Sequence, residues 1–148
     1  MLTATALGIR GHMCANSIQS DPNSLYSLAV VEADPLLRSD LRTLTLFIDL
    51  YCRYKHRSLN RHTVELGELD IDKIAGRSIL LCPDCSKLLL HGIVKRMHCP
   101  RHPKPLCKQC PKQCLHPKYR AAIKDVMRFS GRIMILSGRL DYLVHLLY

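Results

Sequence analysis

A small, mainly α-helical domain with an irregular, proline- and cysteine-rich metal-binding loop is the fold expected of this sequence. Its 148 residues suit one domain with a loosely attached arm. Apolar residues make up 47%, yet only 5% are aromatic and tryptophan is absent, which points to Leu, Ile and Val helices packed around something that cross-links them. Six of the eight cysteines, Cys82 to Cys114, fall within 33 residues. Disulfide scaffolds usually spread their cysteines and hold roughly 8–10% of them, whereas a denser local cluster in a reducing compartment points to metal.

Residues 1–34 read as an irregular N-terminal arm, because ANSIQSDPNS is dense in turn formers and has no sustained period. Cys14 lies there, far from the other cysteines, and is left out of the site. Residues 35–148 form the metal-binding helical domain. Within PLLRSDLRTLTLFIDLYCRYKH, positions Leu37, Leu41, Leu44, Ile48, Tyr51 and Cys52 recur at spacings of three and four, the period of an amphipathic helix. Pro35 suits its first turn and Asp34 its cap. Residues 58–78 read as a polar connection with one short turn of helix.

Pro83 opens a second helix through DCSKLLLHGIVKRM, with Leu88, Leu89, Ile93 and Met97 on the buried face and Gly92 as its weak point. The next stretch, HCPRHPKPLCKQCPKQCLHP, has five prolines in twenty residues. Proline lacks the amide donor and fixes φ, so this stretch can be neither an ordinary helix nor a central strand. Its four cysteines supply an alternative means of holding it. Pro117 opens a third helix with Ile123, Val126 and Met127 on one side, which Gly131 is expected to break. RIMILSGRLDYLVHLLY then continues as a strand-like or helical edge and a terminal helix.

The ligand inventory defines the chemistry. Zinc and iron–sulfur clusters need about four soft ligands converging on one point. Cys82-Pro-Asp-Cys85 and Cys107-Lys-Gln-Cys110 each offer two sulfurs from one tight turn; Cys99 and Cys114 flank the second pair. Cys52 and His56, four apart, project from one helical face. Seven cysteines and one histidine make two four-ligand sites. The local pairing puts Cys52, His56, Cys82 and Cys85 in a metal site and Cys99, Cys107, Cys110 and Cys114 in a cofactor site. A crossed pairing of Cys82, Cys85, Cys107 and Cys110 also has ribbon-like spacing. The ferredoxin-like Cys107-x-x-Cys110-x-x-x-Cys114 favours an iron–sulfur cluster in the cofactor site, while the histidine favours zinc in the metal site. His98 and His102 flank Cys99 and are the natural substitutes for a missing ligand. His91, His116 and His145 read as ordinary.

Charge is distributed unevenly. Twelve of the 22 Lys and Arg lie between Lys95 and Arg139, with Asp125 as the only acid there. Metal-bound thiolates are deprotonated, so part of this excess offsets the site. The remainder could face nucleic acid or an acidic protein partner, although few aromatics interleave it to stack on bases. No run reaches the roughly 18 apolar residues of a membrane span, and the N-terminus lacks a secretory pattern, so a cytoplasmic protein is expected. Catalysis has little support: Cys52 and His56 could activate a thiol, but no orienting group, phosphate loop or dinucleotide fingerprint accompanies them.

Several separated motifs carry a family resemblance. Tyr51-Cys52 with His56, Leu81-Cys82-x-x-Cys85, Cys99-Pro100, Lys104-Pro105-Leu106-Cys107-x-x-Cys110-Pro111-x-x-Cys114, and Pro117-x-x-Arg120 through Val126-Met127-Arg128-Phe129-Ser130-Gly131 resemble the nitrous oxide-stimulated promoter family of small bacterial proteins. The resemblance covers about residues 40–138 and implies a protein linked to nitric oxide or nitrosative stress. It implies no reaction. Nitric oxide is then an expected partner, and the expected role is a sensor, scavenger or accessory protein.

Overall fold

A computed structural model describes residues 28–105, 107 and 109–139. Helix α1 (Leu28–Ala33) is followed by α2 (Pro35–Lys55), β1 (His62–Thr63), α3 (Ile71–Ala75), β2 (Leu80–Leu81), α4 (Pro83–Met97) and α5 (Pro117–Leu136). The architecture is helical, with only a two-stranded antiparallel ribbon pairing His62 with Leu81 and Thr63 with Leu80. Cys14, His145 and the expected terminal helix lie outside the described residues. The described end of the expected irregular arm is helical, and Val31 is fully buried in it.

The long helix α2 is the hub, packing against α4, α5, α3 and α1. Asp34 caps it, its side chain accepting from the Leu37 amide at 3.0 Å, and Pro35 occupies the first turn. That hydrogen bond from the Leu37 amide holds the Asp34 carboxyl below its ordinary range, with Lys104 adding to the effect. Leu37, Leu41, Leu44, Ile48 and Cys52 are buried along one face, as their spacing requires, while Tyr51 is half-buried at its edge. Leu46, Phe47, Thr45 and Asp49 are buried too, because α2 is covered on more than one side.

Residues 58–78 are more than a polar connection. Val64, Leu69, Ile71, Ile74, Ala75 and Ile79 all enter the core. Short elements hide such residues from a periodicity argument, since five residues complete barely more than one helical turn. Asp70 caps α3 through the Lys73 amide at 2.9 Å, and Gly76 ends it in the left-handed region at φ 74°, where a side chain would be strained. Buried Asp49 pairs with both Arg53 and Arg77, fastening the α3–β2 connection to α2.

Gly131 does not break α5. The helix runs through it to Leu136, with Ser130 and Gly131 both buried. The Ser130 hydroxyl donates to the Phe47 carbonyl at 2.7 Å, so this pair of small residues lies where α5 crosses α2. Gly92 plays a similar part on α4: a Cβ there would sit 2.7 Å from Leu44 Cδ2. Gly92 serves helix packing, which outweighs its poor intrinsic propensity. Among the described residues no helix is long and apolar enough to cross a membrane.

Candidate metal centre

Four elements converge at the C-terminal end of α2. Cys52 lies in the last turn of that helix and His56 is its C-cap, with the His56 amide donating to the Cys52 carbonyl at 3.0 Å. The β1–β2 ribbon delivers the chain to Cys82, the N-cap of α4, and Cys85 sits in the first turn of α4. Pro83 suits that first turn because its missing N–H is among those a helix start leaves unpaired. Helical start and helical end thus bring two ligand pairs face to face.

The ligand atoms of Cys52, His56, Cys82 and Cys85 all lie within 4.8 Å of one another. The three cysteines are 0–2% exposed. His56 Nδ1 stands 3.2 Å from Cys85 Sγ and 3.3 Å from Cys82 Sγ. One ring nitrogen has a single proton or a single lone pair and cannot serve two sulfurs as a hydrogen-bond partner. An ion between them would serve all three. Zinc–sulfur and zinc–nitrogen bonds of about 2.3 and 2.0–2.1 Å put tetrahedral neighbours roughly 3.5–3.8 Å apart. The arrangement could therefore hold a metal ion.

The electrostatics agree with a site that binds cations. Burial pushes the Cys85 thiol well above its ordinary range, and the adjoining Cys52 and Cys82 push it further. Burial also raises Cys52, against the opposing pull of the Cys82 amide, which donates to Cys52 Sγ at 3.4 Å. The Cys52 and Cys85 thiols resist ionisation unless a cation compensates them, and that is what a metal supplies.

An aromatic chain supports the histidine. Tyr51 meets the His56 ring edge-on at 5.6 Å, and Phe129 of α5 meets Tyr51 edge-on at 5.5 Å. Sequence reasoning missed both supports, although Tyr51 falls in the motif it quoted. It also missed Arg96, counted only as one of the basic residues. Arg96 pairs with Asp40 of α2, its Nε donating at 2.8 Å, and its Nη1 donates to the Pro105 carbonyl at 2.7 Å.

The other cysteine set is placed differently. Cys99, Cys107, Cys110 and Cys114 line one concavity with Lys95 and Arg96, at the foot of α4 and in the segment leading to α5. They do not close to the spacing of the first site; among the described residues only Cys52, His56, Cys82 and Cys85 come that close. Cys82 and Cys85, which the crossed pairing would join to Cys107 and Cys110, lie against Cys52 and His56. His98 is engaged within its own helix, its Nδ1 lying 2.8 Å from the Val94 carbonyl.

A family model described as nitrous oxide-stimulated promoter matches residues 36–148. The chain belongs to that family. No curated protein and no solved structure matches it. The match spans all four residues of the buried centre and all four cysteines of the concavity, so both ligand sets lie inside the family's own extent.

Proposed function

We propose that this protein is a zinc-centred accessory protein of the nitric oxide stress response, binding rather than catalytic in its action. One observation carries the reading: four protein ligands, three of them cysteines almost without exposure, stand at the mutual spacing of a single ion. Catalytic zinc keeps one position open for water or substrate, whereas a closed Cys₃His set is the pattern of structural zinc. A cluster of several irons would spread its cysteines further apart, which makes zinc the better occupant here. The ion would tie the end of α2 to the start of α4 and contribute directly to folding.

The family's description supplies the link to nitrogen oxides, and the extension from nitrous oxide to nitric oxide stress is part of this proposal. Elemental analysis of anaerobically purified protein tests the centre. A Cys82→Ser/Cys85→Ser variant should hold one zinc per chain fewer than the wild type. Iron in that position would overturn it. For the role, a deletion strain should grow poorly under anaerobic nitric oxide and recover with the wild-type chain but not with that variant. Indifference of the deletion strain to nitric oxide would remove the stress reading.

A second reading is favoured by the surface of α5. Arg120, Lys124, Arg128 and Arg132 recur every fourth residue, so they share one side of the helix, and all are exposed. Beside them Lys55 lies 4.9 Å over the Phe129 ring and Arg57 lies 5.5 Å from the half-exposed Tyr54 ring. We include nucleic acid or an acidic protein as a partner for residues 95–139 on that basis. Binding to a mixed-sequence oligonucleotide should then weaken steeply with salt, because neutralised phosphates release counterions.

A further inference from the structure

The segment between α4 and α5 poses a physical problem that the buried centre does not solve. Residues 98–116 have neither helix nor strand among those described, and prolines at 100, 103, 105 and 111 remove amide donors that could build one. Few apolar side chains there are buried, so burial alone gives this stretch little reason to hold one shape. Yet it is anchored at one point with care. The Arg96 side chain is only 10% exposed; it is paired with Asp40 of α2 and donates to the carbonyls of Lys104 and Pro105. That clasp brings Cys107 beside the end of α4, where Cys99 already sits.

A second device shapes the turn that carries the thiols. Gln113 Nε2 donates to the Cys110 carbonyl at 2.9 Å and to the Cys107 carbonyl at 3.3 Å. One amide thereby closes the chain around Cys107, Cys110 and Cys114. The outcome is a single concavity lined by Cys99, Cys107, Cys110 and Cys114, with the cations Lys95 and Arg96 at its wall. All four are free thiols. A divalent ion bound by four thiolates carries a net negative charge, and two fixed cations beside it offset that charge.

We propose that Cys99, Cys107, Cys110 and Cys114 form a second metal centre, a four-thiolate site for a soft metal, with Arg96 as its positioning residue. It rests on none of the ligands of the buried centre. The shared chemistry is metal–thiolate ligation; its two sources are a zinc ion and an iron–sulfur cluster. These sulfurs stand wider apart than those of the buried centre, so a single zinc ion would draw the loop inward, whereas a cluster would bridge the gap. In both cases the metal fixes a segment that backbone and core leave loosely held.

The full chain, purified anaerobically, tests this by metal content and by proteolysis. Two metal equivalents, or one zinc together with iron and acid-labile sulfide, are expected in the wild type. Cys107→Ser/Cys110→Ser should lose the second component, keep the zinc removed by Cys82→Ser/Cys85→Ser, and be cut many-fold faster within residues 98–116. A second zinc would identify the ion, and iron with sulfide would identify the cluster. Apo protein given zinc, or ferrous iron with sulfide, should regain protection in the wild type and not in Cys107→Ser/Cys110→Ser. Wild-type protein with a single zinc that gains no metal on either treatment would overturn the proposal. So would a Cys107→Ser/Cys110→Ser variant with unchanged metal content. Because that variant leaves the buried centre intact, failure here is separable from failure there.

Discussion

The backbone amide of Cys82 donates to the sulfur of Cys52, 3.4 Å away and 30 residues distant in sequence. It places a donor on a sulfur before any metal is considered, and hydrogen bonds to a thiolate favour its charged form. The start of α4 is therefore aimed at the end of α2 by the backbone itself. Ile48, Leu81 and Leu89, from the same elements as the ligands, are likewise essentially without exposure.

His56 is the ligand whose replacement is most informative. His56→Cys keeps four soft ligands and should retain the zinc of the buried centre. His56→Ala leaves three thiols and should lower zinc affinity by more than the roughly 10–100-fold typical of losing an outer-shell partner. A competition titration against a chromophoric chelator measures both. Equal affinity in His56→Ala and the wild type would remove His56 from the site.

Arg96 is expected to control the loop more than the global fold. Arg96→Ala strands Asp40 and two carbonyls; breaking a buried pair costs about 3–5 kcal/mol, and the 30% exposure of Asp40 reduces this to about 1–3 kcal/mol. Arg96→Lys should do little better, because an ammonium cannot reproduce the planar fork that reaches Asp40 and Pro105 together. Limited proteolysis should show faster cleavage within residues 98–116 for both variants, alongside a modest fall in melting temperature. Cleavage at the wild-type rate would show that the clasp is dispensable.

The helices were legible because α2, α4 and α5 are long enough for a 3.6-residue period to repeat, and Asp34, Pro35, Pro83 and Pro117 mark their starts. Cys52 and His56 were legible by spacing, as was the Cys82–Cys85 pair. Their meeting was not derivable, since it depends on the β1–β2 ribbon turning the chain back by way of His62 and Leu81. The core residues of 64–79 were hidden because α3 and the ribbon are too short to show a period. Gly131 does not end α5: propensity scores a glycine alone, whereas here it is buried beside Ser130, whose hydroxyl bonds to Phe47 of α2. Arg96 was counted as charge, and nothing local distinguishes a clasp from a solvated cation.

Gly92 gives a test of helix packing. Its missing side chain admits Leu44, whose Cδ2 would lie 2.7 Å from an added Cβ, with Ile123 Cδ1 at 3.6 Å. Gly92→Val gains about 0.5 kcal/mol of helix propensity but overpacks the α2–α4 contact at about 1–3 kcal/mol. Net destabilisation of about 1–2 kcal/mol is expected by urea unfolding. Pairing it with Leu44→Ala should cost less than the sum of the two single changes, since the two sites compete for one volume. Strict additivity would place the strain elsewhere.

His91 sets an acid sensitivity that can be separated from that of the metal ligands. It stacks on Tyr119 of α5 at 4.2 Å between centroids, and its Nε2 is buried with no hydrogen-bond partner among the described residues. Burial lowers its pKa below the ordinary value, and repulsion from Lys95 on α4 and His116 at the start of α5 lowers it further. In the unfolded chain this imidazole takes up its proton near pH 6.5, while in the fold it resists protonation until lower pH. The unfolded state then binds more protons as the medium acidifies. His91 thus contributes stability that is complete above about pH 6.5 and is lost as pH falls through its folded value. His91→Phe keeps a ring against Tyr119 and removes the titration. Urea midpoints of zinc-loaded wild type and His91→Phe, compared at pH 7.5, 6.5 and 5.5, should diverge, with the variant losing less on acidification. Parallel losses would assign the acid sensitivity to protonation of the metal ligands alone.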